Sequence, residues 1–327
     1  MRNCPLVIVF ALVSPAVAQG TPGEAAAPAE VATAAGSETI TPSHVYQQVA
    51  MVRAEVELIR LEMGKPKVEP PLVRVVGAAP REVYFQALTL FRKADRLAFE
   101  NAGDRVTEPA IPAGPIEPAQ VLAVVEAALQ RLGSAKKSLN VAEQPDASPI
   151  EPGIEPTQVL NGIVAANREV NHLLDLQFAP ADVYQQVSVA IACAARLLDS
   201  PGKLSTPPAP PPLERHKRPP DVFRSLVACF NDIRQIGEHS GIPMLVLEVD
   251  DLRIDRVEPS DVYDVASLVV SELAHLHGLR PNAAPPRRAH NPGRKVPTDV
   301  YQRLGVLRGQ LEALKQKAEG NPGWLKD

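Results

Sequence analysis

The sequence has few aromatic residues, few cysteines and none of the short motifs by which many enzymes are recognised. Only 4% of its 327 residues are aromatic, with a single tryptophan, and there are three cysteines. A hydrophobic core must therefore be built mainly from valine, leucine, isoleucine and alanine. Phosphate-binding glycine loops, nucleophile elbows, zinc-ribbon cysteines and haem-attachment motifs are absent from the sequence. We therefore predict a non-enzymatic protein with no cofactor.

A strong net charge is also missing, and the only candidate targeting segment lies at the N-terminus. The formal net charge is −4, which argues against a nucleic-acid partner. Arg2, the apolar run Leu6–Val13 and the small residues Ala16–Ala18 are the three parts of a cleavable secretory signal, predicted over residues 1–18. A retained membrane anchor is disfavoured because a spanning helix needs roughly 20 apolar residues. We expect a periplasmic or secreted protein of the bacterial type, with no transmembrane span after cleavage.

Proline, in contrast, is abundant, and it begins a phrase that occurs eight times. The chain has 34 prolines, and in each phrase a proline is followed by two mostly polar residues, a valine and usually an aromatic residue. The valines, with the aromatic residues that follow six of them, are Val45, Tyr46, Val83, Tyr84, Val121, Val159, Val183, Tyr184, Val222, Phe223, Val262, Tyr263, Val300 and Tyr301. A repeated unit of this length is typical of an architecture built from one supersecondary element.

The spacing of the phrases divides the chain in two. The valines follow one another at about 38 residues, except between Val159 and Val183, where the interval is much shorter. The four phrases on each side of this break resemble each other in order, which indicates one duplication of a four-unit module. We predict a tether at 19–40, modules at 41–178 and 179–320, and a C-terminal tail at 321–327. The tether is expected to be disordered because it has too little apolar bulk to fold.

Each unit is predicted to contain one long helix. After the motif valine, apolar residues recur at alternating spacings of four and three, as in Val300, Leu304, Leu307, Leu311 and Leu314. This spacing places one stripe along a helix. Proline suits the first helical position, the acidic residue that often follows two places later suits the helix dipole, and the residue before the proline, such as Thr41, is the expected cap. The fold class is therefore all-α, with helices of about 18 to 22 residues.

The connectors suggest that consecutive helices run in the same direction. They are rich in proline, which favours an extended path of about 3.1 Å per residue, long enough to return along a helix. The short break then requires the two four-helix modules to point in opposite directions. An antiparallel bundle or an open α-solenoid is the alternative. Two apolar connector segments, 72–76 and 244–249, could form strands, but we expect them to lie in grooves between helices.

A few residues are candidates for chemistry. His239, His275 and His277 lie near the ends of two predicted helices and could together bind a metal ion, although histidines near helix C-termini are also stabilised by the dipole alone. Cys193 and Cys229 could pair as a disulfide after export, or remain buried thiols. The motif tyrosines are expected to pack at the edge of the core, with their hydroxyl groups bonded to a neighbouring backbone group or to water.

Three other segments differ from the rest of the chain. The connectors at 215–218 and 287–295 are basic and could dock on an anionic partner, and the acidic segment 250–258 is expected to be a solvated loop. The fifth helix, which begins at Pro180, is apolar around its circumference and is therefore expected to be covered on several sides, between the modules or under a partner chain.

Together these features predict a helical scaffold. The expected partner is another envelope or extracellular protein, or a second copy of this chain. The alternative is a carrier that holds a small apolar molecule within or between the modules.

Overall fold

The computed structural model describes residues 39–112, 114–146, 148–174, 178–199, 204–281, 284–286 and 293–325. The predicted signal, nearly all of the predicted tether and most of the second basic connector lie outside these residues. Ile40–Asp327 belongs to one compact unit.

The described chain is mostly helical, so the all-α prediction is confirmed at that level. Its helices are α1 Pro42–Glu62, α2 Pro80–Ala102, α3 Pro118–Ser138, α4 Pro156–Leu173, α5 Pro180–Leu198, α6 Pro219–His239, α7 Pro259–Gly278 and α8 Pro297–Gly320. Two short strands, β1 Val73–Val76 and β2 Val246–Val249, and a 3-10 helix, Asp251–Arg256, lie in connectors. Every α-helix begins at a motif proline, as predicted, although α2 and α8 are longer than expected, at 23 and 24 residues.

One polar position explains how each of these helices starts. The side chain two places after the proline accepts a hydrogen bond from the backbone N–H of the residue that precedes the proline, at 2.8 to 3.1 Å. This is the backward half of a capping box. The accepting residues are His44, Glu82, Gln120, Gln158, Asp182, Asp221, Asp261 and Asp299. The sequence therefore predicted where each helix begins. The capping side chain, however, comes from the first turn of the helix and not from the residue before the proline.

The helices pack in two groups of four. Helices α1 and α2 each pack against both α3 and α4, and α5 and α6 each pack against both α7 and α8. We call α1–α4 the first bundle and α5–α8 the second bundle. The motif prolines and valines of α1–α4 surround one small cavity, and those of α5–α8 surround another. Because the helix starts meet at one end of each bundle, the four helices of a bundle run parallel, the direction that the long connectors predicted.

The described part of the connector between α2 and α3 returns along α2 as an extended strap. In the 103–117 strap the backbone N–H of Val106 donates to Asp95, Glu108 binds Arg92, and the carbonyl of Ala110 accepts from Tyr84. These three partners run from the second half of α2 back towards its first turn. The strap therefore retraces the helix before α3 begins.

Glycines make room for a second strap on α8. The segment 207–212 lies so close to this helix that a Cβ added at Gly305 would be 2.5 Å from Pro211, and one at Gly309 would be 3.1 Å from Pro208. The side-chain amide of Gln302 also donates to the carbonyl oxygen of Pro211 at 2.8 Å. The two glycines are four residues apart, so they lie on the same face of the helix.

The expectation that the two apolar connector segments lie in helix grooves was wrong. They pair as antiparallel strands, with Val73 opposite Val249 and Val76 opposite Val246. The outer edge of β1 is satisfied by Asn161 of α4, whose side chain both accepts from and donates to the backbone of Val75. Pairing satisfies backbone groups that a groove lined by apolar side chains would leave unbonded.

The two bundles point in opposite directions where they meet. Arg81, in the first turn of α2, contacts Glu272 in the second half of α7. Lys93, in the second half of α2, contacts Asp264 near the start of α7. Helices α2 and α7 are therefore antiparallel. We call the contact of α7 with α2 and α4 the joint.

Two segments differ from their predicted surroundings. Among the described residues, none from 180 to 199 is exposed, so α5 is covered as expected, but the helix that packs on the other bundle is α7. In the predicted C-terminal tail, Trp324 and Leu325 are buried, and the Trp324 ring N–H donates to Ser240 at 2.9 Å. Part of that tail therefore packs against the end of the second bundle.

Candidate functional site

The joint contains buried charged side chains that link distant parts of the chain. Lys93 is fully buried, and its ammonium group donates to Asp264 Oδ1 at 2.7 Å and to the carbonyl oxygen of Asn167 at 3.1 Å. Arg168 of α4 pairs with Asp261 in the first turn of α7. These pairs bring α2, α4 and α7 together through charges that would be costly to bury alone.

A second group of charges lies at the other end of the α2–α7 contact. The Arg81 guanidinium contacts the carboxyl groups of both Glu82 and Glu272. Both glutamates are almost fully buried, with side chains 2% and 1% exposed. Glu82 also accepts the N–H of Ala79 at 2.9 Å, because it is the capping residue of α2. One arginine thus serves two buried carboxyl groups.

Burial shifts the titration of this site. Burial and the nearby Glu82 charge raise the pKa of Glu272, and Arg81 opposes them, so that the pKa lies at about 8. Burial also raises the pKa of Asp264, against the opposing effect of Lys93. One turn beyond Glu272, burial and Arg81 together lower the pKa of His275 to about 4. The histidine ring is therefore neutral near pH 7.

An aromatic side chain closes the joint beside the short interval between α4 and α5. Phe178 is buried, and its ring lies 4.1 Å from the ring of Tyr263, centroid to centroid. Lys93 and Arg96 of α2 approach the same ring, at 5.5 and 5.2 Å from its centroid. Cations over an aromatic face are attracted by its quadrupole. Phe178 is therefore packed into the contact between the bundles.

Sequence reasoning did not find the joint. On α7 the signal was a second stripe one residue before the core stripe, with Val265 and Leu268 flanked by Asp261 and Glu272. Two apolar residues on a second stripe indicate a second packed face. On α2 the corresponding stripe holds Glu82, Gln86, Thr89 and Lys93, all buried. A stripe of this composition is typical of a solvated surface.

The three candidate histidines are not brought together. His239 lies 3.5 Å from Glu319, His277 contacts the carbonyl oxygen of Ala284 at 2.9 Å, and His275 faces the joint. No group of three metal-binding side chains occurs in the part of the chain that the structure describes.

The two cysteines are buried free thiols in the second bundle. Burial raises the pKa of both Cys193 and Cys229 to about 12. The thiolate is the reactive form of cysteine, so neither residue is placed for nucleophilic chemistry near pH 7.

The aromatic residues of the motif contact straps and neighbouring helices. The Tyr84 hydroxyl donates to the carbonyl oxygen of Ala110 at 2.9 Å, and the hydroxyl of Tyr263 accepts from the side-chain amide of Gln186 at 3.2 Å. Lys295, just before the start of α8, lies over the ring of Tyr184. Lys217, just before the start of α6, lies over the ring of Tyr301. Phe223 is fully buried. These are packing contacts between the motif residues and the straps or helices beside them.

The charged connectors have separate surroundings. In the first basic segment, Lys217 pairs with Glu214 at 2.7 Å, and its backbone N–H donates to Thr298. In the acidic segment, the carboxylate of Asp250 accepts from the backbone N–H of Leu252 and helps to start the 3-10 helix. Arg253 and Arg256 of that helix bind Glu69. The acidic segment is therefore held in place by its own two arginines, which bind Glu69 in the connector before β1.

The cavities differ in size and lining. The two cavities at the helix starts, lined only by motif prolines and valines, have volumes of about 10 and 20 Å³. A cleft of about 180 Å³ lies between the second halves of α1 and α4. It is lined mainly by charged and polar residues: Arg53, Glu57, Arg60, Lys67, Glu169 and His172. A space of about 10–15 Å³ holds one water molecule, so of these three cavities only the cleft has room for a larger molecule.

Comparison with known proteins gives no relative from which a function could be inferred. No family model, curated protein or solved structure matches this chain. Across the described residues, every helix is too short or too polar to span a bilayer.

Proposed function

We propose that this chain is a non-enzymatic, exported helical-repeat scaffold that binds another envelope or extracellular protein, or a second copy of itself. Residues 1–18 would direct export to a bacterial-type periplasm or beyond, and residues 19–40 would act as a flexible tether. The function would lie in the surface that the rigid helices present.

The repeat history is part of this proposal. Eight single-helix units, each with its strap, would have arisen by duplication of a four-helix module. Equivalent helices have equivalent neighbours, since α1 and α5 both pack on the third and fourth helices of their own bundle, as do α2 and α6. All eight starts also use the same backward cap, as described above. A shared packing order and a shared cap support descent from one module.

The observation that carries the scaffold proposal is the filling of both bundles. The motif cavities measure only about 10 and 20 Å³, and the stripe residues of each helix are buried against one another. Straps held on helices, such as the one at Gly305, add further order to the surface. A filled and tightly tied interior favours a role for the outside of the molecule.

The carrier hypothesis has one candidate place, the cleft between α1 and α4. Its walls hold two arginine–glutamate pairs, Arg53–Glu169 at 2.6 Å and Arg60–Glu57 at 2.7 Å. Such a lining favours a polar ligand over the apolar ligand that the sequence suggested. Native mass spectrometry of the purified protein would reveal a retained small molecule, and its release in an Arg53→Met variant would favour the carrier.

Site-specific photo-crosslinking in the native envelope tests the scaffold proposal. A photoreactive amino acid is placed singly at exposed positions on different helices: Glu126 and Gln130 on α3, Asn231 on α6, and Glu312 and Gln316 on α8. We expect one face to give a reproducible protein adduct, identified by mass spectrometry, while the other faces give none. The same chain without the photoreactive residue is the control. Failure of every face to give an adduct would count against the scaffold.

A further inference from the structure

The charged side chains of the joint do not balance. Seven of them lie between α2, α4 and α7: the cations Arg81, Lys93 and Arg168 and the carboxyl groups of Glu82, Asp261, Asp264 and Glu272. The most exposed of these side chains are 16% accessible. A buried cluster with one carboxylate too many is costly, because an unpaired charge is poorly solvated there.

The pairing shows where the excess lies. Lys93 binds Asp264 and Arg168 binds Asp261, so each of these carboxyl groups has its own cation. Arg81 alone faces both Glu82 and Glu272. Two further arginines of α2 have carboxylate partners outside this cluster, since Arg92 binds Glu108 and Arg96 contacts Glu100. His275 is the remaining titratable group facing Arg81, and its low pKa keeps the ring uncharged near pH 7.

We propose that the joint is a proton-binding site in which Glu272 carries a proton at neutral pH and donates it in a hydrogen bond to Glu82, and that loss of this proton in alkaline solution loosens the contact between the two bundles. With that proton in place the seven groups are electrically balanced. The joint lies within one chain, so the proposed pH response does not depend on the identity of a partner.

The geometry assigns the proton to Glu272 because Glu82 is required as an acceptor. Glu82 takes the N–H of Ala79 and a contact from Arg81, and the cap of α2 depends on the first of these bonds. Glu272 has longer Arg81 contacts, at 3.3 and 3.5 Å, and lies within hydrogen-bonding reach of Glu82. The pKa of about 8 for Glu272, raised by burial and by the charge of Glu82, agrees with this assignment.

The sign of the pH effect follows from linkage. In the unfolded chain Glu272 loses its proton near its ordinary pKa of 4.5, whereas the folded protein holds the proton until about pH 8. The folded state therefore binds more protons between these values, and its stability falls as the pH rises through this window. Above the folded pKa no further loss comes from this group. The joint should be tightest in mildly acidic solution and weakest in alkaline solution.

Distance measurement between the bundles tests the proposal. Spin labels on cysteines introduced at Gln130 of α3 and Glu312 of α8 report the inter-bundle distance by pulsed electron resonance, since the thiols of Cys193 and Cys229 are buried. Between about pH 6.5 and about pH 9.5, either side of the folded pKa of Glu272, we expect the distance distribution to broaden and the melting temperature to fall. Glu272→Gln should remove both changes, because its amide can donate to Glu82 at every pH. Glu126→Gln, which changes an exposed glutamate on α3, should behave like the unmodified chain.

Two results would overturn the proposal: a pH-independent distance in the unmodified chain, or an unaltered pH response in Glu272→Gln. If that variant does not fold, infrared spectroscopy of the unmodified protein gives an independent answer. A buried protonated carboxyl group has a carbonyl stretch separate from that of carboxylates, and it should be present near pH 7 and absent in alkaline solution. A spectrum without this band near pH 7 would also reject the proposal.

Discussion

Gly305 has no side chain, and the fold requires this because a strap packs directly against it. The strap at 207–212 passes so close to α8 that an added Cβ would lie 2.5 Å from the Pro211 ring, and that ring cannot turn away as a flexible side chain could. A glycine inside a helix costs about 0.5–1 kcal/mol relative to alanine. Its presence here is therefore explained by the approach of the strap.

The pair Gly305→Ala and Gly133→Ala tests this explanation. Gly133 is also inside a helix, but a Cβ added there would meet no atom within 4 Å. We expect Gly133→Ala to raise the free energy of unfolding by about 0.5–1 kcal/mol through helix propensity. Gly305→Ala should lower it by about 1–3 kcal/mol through overpacking. Urea unfolding followed by circular dichroism measures both, and a stabilising Gly305→Ala would show that the strap does not need this gap.

At the scale of one element, the sequence predicts each helix but not the elements that pack against it. The proline at the start and the four-and-three stripe, as in Val83, Ala87 and Leu90 of α2, predict a helix without reference to the rest of the chain. The polar stripe beside it is buried only because α4 and α7 pack against it. The β1–β2 pairing likewise joins connectors far apart in sequence, with Val73 opposite Val249. Local patterns carry no information about such distant partners.

The strap of α2 offers a test of how connectors are held. Tyr84→Phe removes the hydroxyl that donates to the Ala110 carbonyl but keeps the buried ring. We expect a loss of about 0.5–1.5 kcal/mol in the free energy of unfolding, because a single neutral hydrogen bond contributes this much. Hydrogen exchange of the backbone amides at 104–112 should also become faster. Tyr46→Phe is the matched control at the equivalent position of α1, where we expect almost no change in stability.

At the scale of the whole molecule, the two bundles meet through unlike faces. Helix α7, third in its bundle, packs on α2 and α4 of the other bundle. Its counterpart in the first bundle is α3, where the positions of Asp264 and Glu272 are taken by Ala123 and Arg131. The counterpart of α4 is α8, whose face is covered by the strap at Gly305. The equivalent faces of α3 and α8 therefore cannot form a second joint of the same kind.

The Lys93–Asp264 pair shows how strongly that single joint depends on buried charge. Lys93→Met keeps much of the side-chain volume but leaves Asp264 and the Asn167 carbonyl without their cation. Breaking one partner of a buried pair costs about 3–5 kcal/mol, because the remaining charge is left in a poorly solvating environment. We expect a loss of that size in urea unfolding. The loss should shrink in a Lys93→Met, Asp264→Asn double variant, which removes the orphaned charge.

The matched control is Arg53→Met on the first bundle. Arg53 makes a two-pronged contact with Glu169, but its side chain is 47% exposed. Exposed pairs contribute about 0–1 kcal/mol, since water solvates each partner well when the other is removed. Equal losses for Lys93→Met and Arg53→Met would mean that the joint is wet enough to tolerate a lone carboxylate. In that case the bundles would be held together by apolar packing around Phe178 and by the β1–β2 pairing, and the charge pairs would act chiefly to set their orientation.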